Sequence, residues 1–343
     1  MNRLLIVKLS SLGDVLHALP VVKSIKQGLP HLSIGWVIRE RCAGLLLGND
    51  FLDDVYVIPN KPSIKALWKL RQTLRRKKYD TAFDMQGLLL SGVITALSGA
   101  PRRVGLNRNR EMNAVFLSEP TIEGKLPLTH AVDVQLGFRG AAGLPPIDEL
   151  PEVTYLAVRE ADWLQTVKSR FNDEKIVVLN VGASTIYKRW PNQRWIELAN
   201  ALTEQHFHVV LTAGPTEADD ADRIAAEITR KALLTNLGGI TNSDQLATIL
   251  RHSNLVITGD TGPLHMAASV GTPTIALFGP TDPRLTGPYG KQHKVIWKQL
   301  SCSPCFRHPT CNGRVDCLTS ISADEVLESA VQSLKDGRRS VLA

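Results

Sequence analysis

Short apolar β-type runs alternate with helical stretches along this chain, and the alternation runs through twice. In the first half the runs are Leu4–Lys8, Ser33–Ile38, Val55–Ile58, Thr81–Asp84 and Arg103–Gly105. They resume as Lys175–Val181, His208–Ala213, Leu233–Leu237, Leu255–Thr258 and Thr274–Phe278. A strand that is apolar at nearly every position must be covered on both faces, as helices cover a parallel sheet. The expected fold class is therefore α/β, with two doubly wound domains facing across a cleft. At 343 residues the chain can bury two cores of ordinary size. The Pro- and Gly-rich piece Gly143–Pro151 precedes a short run, Val153–Leu156, and a helical stretch, Glu160–Ser169, which puts the linker around 150–172. No short-period repeat is visible, which argues against a solenoid.

In open α/β sheets ligands bind beyond the carboxyl ends of the strands. The first strand is followed by no G-x-G-x-x-G, and the chain has no G-x-x-x-x-G-K-[ST], so simple dehydrogenase and P-loop readings lose support. The first strand runs instead into Leu9-Ser10-Ser11-Leu12-Gly13-Asp14. Gly13 permits a tight turn, and Asp14 sits where a helix begins. Asp14 is either a helix cap or a functional carboxylate, with Pro20 requiring the helix to start late or bend.

The second half holds a denser constellation. Gly259-Asp260-Thr261-Gly262 follows the strand Leu255–Thr258 and precedes a helix read at Pro263–Val270. A helix opening at a strand end, with glycines beside it, suits a pyrophosphate. Gly182-Ala183-Ser184-Thr185 follows Lys175–Val181, with Lys188 just beyond, so two hydroxyls and a cation suit phosphate oxygens. Each loop alone also reads as an ordinary polar turn; at strand ends of one sheet, together they favour a diphosphate. Glu217, after His208–Ala213, could accept from ribose hydroxyls or simply favour a helix start.

The formal charge is +7 and the pI near 9.2, which favours anionic partners. Much of the excess lies in Lys61, Lys65, Lys69, Arg71, Arg75, Arg76, Lys77 and Lys78, with no acid between Asp54 and Asp80. Ile64, Leu67, Trp68, Leu70 and Leu74 recur through it at helical spacing. The segment reads as a basic amphipathic helix for a membrane surface or an anionic substrate, or as a solvated surface helix. No apolar run approaches the roughly 18–20 residues that cross a bilayer, and Leu4–Val7 is too short for a secretory signal, so a cytoplasmic location is expected. Cys302, Cys305, Cys311 and Cys317 crowd together, apart from Cys42. In a reducing compartment this predicts one structural metal ion, zinc or iron, against the alternative of reduced thiols.

Four ordered segments, Ser10–His17, Asp84–Gly87, Gly259–His265 and Phe278–Pro283, resemble the lipopolysaccharide heptosyltransferases of glycosyltransferase family 9 over nearly the whole chain. The 278–289 segment looks closest to members that add the first heptose (type I), and the cysteine cluster to type II members. The resemblance implies a GT-B fold: an acceptor-binding Rossmann-like domain over 1–160, a nucleotide-sugar domain over 161–322, and a C-terminal helix in 323–343 packing back toward the first. It implies an inverting transfer from ADP-heptose to a Kdo-containing lipid A or inner-core acceptor, at the inner face of the cytoplasmic membrane. No cofactor is implied for catalysis, and no nucleic-acid partner. By the same carry-over Asp14 is the base. Ser184, Thr185 and Lys188 meet the donor phosphates, Glu217 the ribose, and Asp260, Thr261 and Gly262 the sugar and diphosphate. His265 matches a motif position, and Lys61, Lys65 and Lys69 are candidates for the acceptor. A GT-B-like sugar-nucleotide epimerase and a metal-stabilised nucleic-acid-binding protein are the alternatives from other classes.

Overall fold

The computed structural model describes residues 1–107, 111–119, 122–123, 128–147, 150, 174–183, 185–306, 311 and 313–336. The linker expected at 150–172, with its short run and helix, lies outside them apart from residue 150. The chain divides into two compact units, Met1–Ala157 and Val158–Ala343.

In the first unit the elements run β1 (Arg3–Val7), α1 (Leu12–Gly28), β2 (Ser33–Arg39), β3 (Asp54–Ile58), α2 (Ile64–Lys77), β4 (Thr81–Asp84), α3 (Leu89–Leu97), β5 (Arg102–Asn107), β6 (Ile122–Glu123) and α4 (Ala131–Ala141). The strands form one sheet in the order β3-β2-β1-β4-β5-β6, every pair parallel. Leu5, Val7, Val37 and Ala82 face one core with Leu70 and Leu74 of α2 and Ile94 of α3. On another side α4 packs along α1, where Arg139 donates to the carbonyl and hydroxyl of Ser24.

Of the two expectations for Pro20, a late start or a bend, the late start is corrected: α1 begins at Leu12 and continues through the proline. A proline in a helix interior costs about 3 kcal/mol. Val15, Leu16, Ala18, Leu19, Val21, Val22 and Ile25 are all buried around it, and a fully buried aliphatic side chain contributes about 1.5–3 kcal/mol. Burial outweighs the lost hydrogen bond.

The second unit repeats the plan: β7 (Ile176–Asn180), α5 (Asn192–Glu204), β8 (His208–Thr212), α6 (Ala218–Ala226), β9 (Leu234–Asn236), α7 (Ser243–His252), β10 (Leu255–Gly259), α8 (Gly262–Ser269), β11 (Thr274–Phe278), α9 (Pro283–Thr286), β12 (Lys294–Trp297), α10 (Asp316–Thr319) and α11 (Ala323–Asp336). Its sheet, also parallel, has the order β12-β11-β10-β7-β8-β9. The short edge strands β6 and β12 escape the sequence reading, because two and four residues carry too little periodicity. The face of α11 built from Val326, Ala330 and Leu334 lies in this unit's core, and Lys175 donates to the Leu334 carbonyl at 2.9 Å. These contacts are all with the second unit.

Candidate active site

Strand order locates the binding crevices. In the first sheet β1 leads to β2 and β3 on one side, while β4 and β5 extend the other, so the direction of winding reverses between β1 and β4. In the second sheet it reverses between β7 and β10. Ligands of open α/β sheets sit at such switch points, beyond the strands' carboxyl ends. The motifs singled out from the sequence fall there: Ser10–Asp14 and Asp84–Gly87 in the first unit, Gly182–Lys188 and Gly259–Gly262 in the second.

At the first switch point Asp14 is the third residue of α1, after the N-cap Ser11. Its Oδ2 accepts from the Ser11 backbone N–H at 3.0 Å and the Ser11 hydroxyl at 2.7 Å. Its Oδ1 lies 3.8 Å from the ammonium of Lys8. The carboxylate therefore does cap the helix, yet its side chain keeps 39% of its exposure. Lys8 beneath it is fully buried and donates to the Met85 carbonyl at 2.9 Å. Gln86 fixes the loop from below, its Oε1 accepting from the N–H groups of Leu9 and Ser10. Asp84, wholly buried, orders that support. It accepts from the N–H groups of Gln86 and Gly87, the Ser91 hydroxyl and the Asn113 amide. Burial pushes its carboxyl pKa up, while the Gly87, Ser91 and Gln86 hydrogen bonds and the Lys8 charge oppose the shift.

At the second switch point Asp260 and Lys188 are brought together. Lys188 donates to Asp260 Oδ2 at 2.5 Å and to its backbone carbonyl at 3.3 Å. Thr281 donates to the same Oδ2 at 2.7 Å, and His265 Nε2 stands 3.9 Å from Oδ1. A Cβ on Gly259 would come 3.1 Å from the Lys188 carbonyl, so this glycine lets the two loops approach. Gly262 opens α8 behind the N-cap Thr261, whose hydroxyl turns inward to Thr258 and Asn180. Thr185 is exposed and its carbonyl accepts from the Lys188 N–H; Ser184 lies outside the described residues. Glu217 is buried at the start of α6, its Oε1 accepting from Arg189 at 3.2 Å and from Thr216 at 2.8 Å. Its Oε2 faces Gly214, where a Cβ would stand only 2.7 Å away.

The remaining candidates lie elsewhere. Lys61, Lys65 and Lys69 are exposed, on the approach to α2 and along it rather than in the switch-point loops. Cys317 is buried in α10 with its sulfur beneath Gly279, and Cys302, Cys305 and Cys311 are half-buried. Burial and the three neighbouring thiols push the Cys317 pKa up to about 11. Among the described residues no three His, Cys, Asp or Glu side chains are grouped closely enough to hold a metal ion. The cysteine loop does brace the second switch point: Ser303 donates to the Gly279 carbonyl and the Phe306 N–H to that of Pro280, next to Thr281.

Sequence reasoning assigned no role to Lys8, Asp84, Gln86, Asn180, Arg189 or Thr281. A signal existed for Lys8, Asp84 and Asn180. Each is a polar side chain at the carboxyl end of an apolar, buried strand, and buried polar groups are there for their partners.

A family model described as glycosyltransferase family 9 (heptosyltransferase) matches residues 67–315. Lipopolysaccharide heptosyltransferase 1 of Pseudomonas aeruginosa is 30% identical over 321 residues, covering 89% of this chain and 86% of that protein. A glycosyl transferase family 9 structure from Veillonella parvula superimposes with a TM-score of 0.84 at 21% identity, covering 98% of both chains. The E. coli ADP-heptose lps heptosyltransferase II structure gives 0.80 at 22% identity, covering 98% of this chain and all of that one (100%). The two parallel sheets thus share the GT-B type of fold.

Proposed function

The chain belongs to glycosyltransferase family 9, the heptosyltransferases, and we propose that it moves a heptose from ADP-heptose onto a Kdo-containing lipid A or inner-core acceptor, with inversion. It is a glycosyltransferase; the epimerase and nucleic-acid readings have no comparable support. Relatives named for lipopolysaccharide and for ADP-heptose support the acceptor and donor classes. The observation that carries the reading is that both switch points are furnished, one with a supported, half-exposed carboxylate and the other with a cation and a helix start.

On this reading the acceptor hydroxyl oxygen attacks the anomeric carbon while Asp14 takes its proton. The bond from that carbon to the diphosphate oxygen breaks, and ADP leaves with the electron pair. Lys188 and the N-terminus of α8 meet the charge that develops. Glu217 holds the ribose through Oε2, with Arg189 fixing the other oxygen. Direct displacement from the opposite face inverts the anomeric centre. The reaction takes place at the cytoplasmic face of the inner membrane. Incubation with ADP-heptose and Kdo-lipid A should release ADP only when acceptor is present, and mass spectrometry should show one added heptose. ADP release independent of acceptor would overturn the assignment.

Lys61, Lys65 and Lys69 are assigned to the anionic acceptor. Changing all three to Ala should raise KM for a deacylated, soluble acceptor about tenfold at low salt, and less as salt screens the charges. ADP affinity should not move. An unchanged acceptor KM would return these lysines to solvent.

The four clustered cysteines are assigned one structural ion. Four thiolates suit zinc or iron. Among the described residues no three of these side chains are grouped closely enough to hold an ion, so binding requires the thiols to draw together. The ion would stiffen the Gly279–Thr281 turn that holds Asp260. Elemental analysis of protein prepared without chelators should find about one equivalent, and Cys305→Ser should lose it with a fall in Tm. Metal-free native protein would remove the ion.

A further inference from the structure

The outward face of α2 carries apolar bulk that the catalytic reading leaves without a task. Leu70 and Leu74 turn the helix's inner face into the first unit's core. Opposite them Ile64 is 87% exposed and Trp68 58% exposed, one helical turn apart. Scattered exposed hydrophobics are ordinary, but these two share one line of the helix with Arg75, at spacings of four and seven residues. Lys65, Lys69 and Arg76 form the adjacent line at the same spacings, and Lys61 precedes the helix.

The charges are arranged for an anionic partner. Lys77 is the helix cation turned toward the sheet, where Asp54 pairs with it at 2.7 Å. Lys61, Lys65, Lys69 and Arg76 make no ion pair among the described residues, and the sequence has no acid between Asp54 and Asp80. No helix among the described residues is long and apolar enough to cross a membrane. A Trp and an Ile standing out beside a row of cations match the interface of a bilayer, where an indole sits at headgroup depth and cations meet lipid phosphates. A soluble saccharide would use the cations and leave the two apolar side chains in water.

We propose that Ile64 and Trp68 insert into the headgroup region of an anionic phospholipid bilayer, with Lys61, Lys65, Lys69 and Arg76 held over its phosphates. This docking surface deepens the proposed function, on which it rests only for the membrane's identity. It gives the lysines two adjacent anionic contacts, bilayer and acceptor, whereas Ile64 and Trp68 serve the bilayer alone.

The test uses the full chain and vesicles without donor or saccharide, so docking and transfer can fail independently. Co-sedimentation should be strong with phosphatidylcholine vesicles containing phosphatidylglycerol and weak with phosphatidylcholine alone. Each basic group near such a surface is worth about fivefold in partitioning, and raising salt should release the protein. Ile64→Ser with Trp68→Ser should lower partitioning at least about tenfold, leaving Tm and kcat/KM on a deacylated acceptor unchanged. Brominated acyl chains should quench the fluorescence of the unaltered protein more than that of Trp68→Phe, which reads insertion directly. The proposal is overturned by equal binding of the double variant, by equal binding to neutral vesicles, or by equal quenching in Trp68→Phe. A loss of kcat/KM on the soluble acceptor would also overturn it, assigning the two side chains to the saccharide.

Discussion

Asp14→Asn should lower kcat by about 10²–10⁴-fold, the range that a general base contributes, while ADP affinity and Tm stay near those of the unaltered protein. The substitution separates the carboxylate's two employments. As a cap, Asp14 accepts from the Ser11 N–H and hydroxyl through Oδ2. An asparagine oxygen accepts equally well, so the helix start should survive. As a base, the group must take up a proton, which an amide does not do. The Lys8 ammonium stands 3.8 Å from the other carboxylate oxygen, Oδ1. Steady-state kinetics with thermal denaturation decides it. Turnover within about threefold of the unaltered enzyme would leave Asp14 as a cap alone, since even a weak base contributes more than that.

Lys188→Ala should weaken ADP binding by about 10–100-fold, read by calorimetry with ADP alone. A hydrogen bond to a charged group contributes about 1.5–3 kcal/mol, which is that range in affinity. The loss has two physical sources. The diphosphate loses a cation, and Asp260, buried to within a few per cent, loses the ammonium bound to its Oδ2. The unpaired carboxylate then repels the diphosphate. Lys188→Ala with Asp260→Asn should therefore bind ADP more tightly than Lys188→Ala alone, a non-additivity expected of two groups in contact. Asp260→Asn by itself should leave ADP affinity largely intact and reduce transfer. Equal ADP affinity in Lys188→Ala and the unaltered protein would remove Lys188 from the donor site.

The pairing of Lys188 with Asp260 shows where linear reading stops. Each residue was a candidate on its own loop, one assigned to phosphate and the other to sugar. That they share an ion pair follows from β7 and β10 lying side by side, and from a Gly259 small enough for the loops to meet. The same holds for Asp14. The sequence shows a carboxylate at a helix start, but the cation under it comes from the residue after β1, held by a carbonyl from the loop after β4. Contacts between groups about 75 residues apart leave no mark on local spacing.

What the sequence determined by itself was the architecture and the placing of its motifs at strand ends. Buried strands that are apolar on both faces must be covered by helices, whatever the rest of the fold does. Thr81–Asp84 and Thr274–Phe278 accordingly form the strands expected of them, and the ordered motifs fall at strand ends. Tertiary structure decided which strand ends are neighbours, and so which polar side chains share a charge. It also decided that α1 runs through Pro20, that Glu217 keeps one oxygen for Arg189, and that Ile64 and Trp68 stay outside while Leu70 and Leu74 go in. The physical reason is common to all of these. Hydrophobic periodicity is written along the chain, at a few residues' range. Electrostatic pairing, burial and exposure depend on what the finished sheet order places across from each side chain.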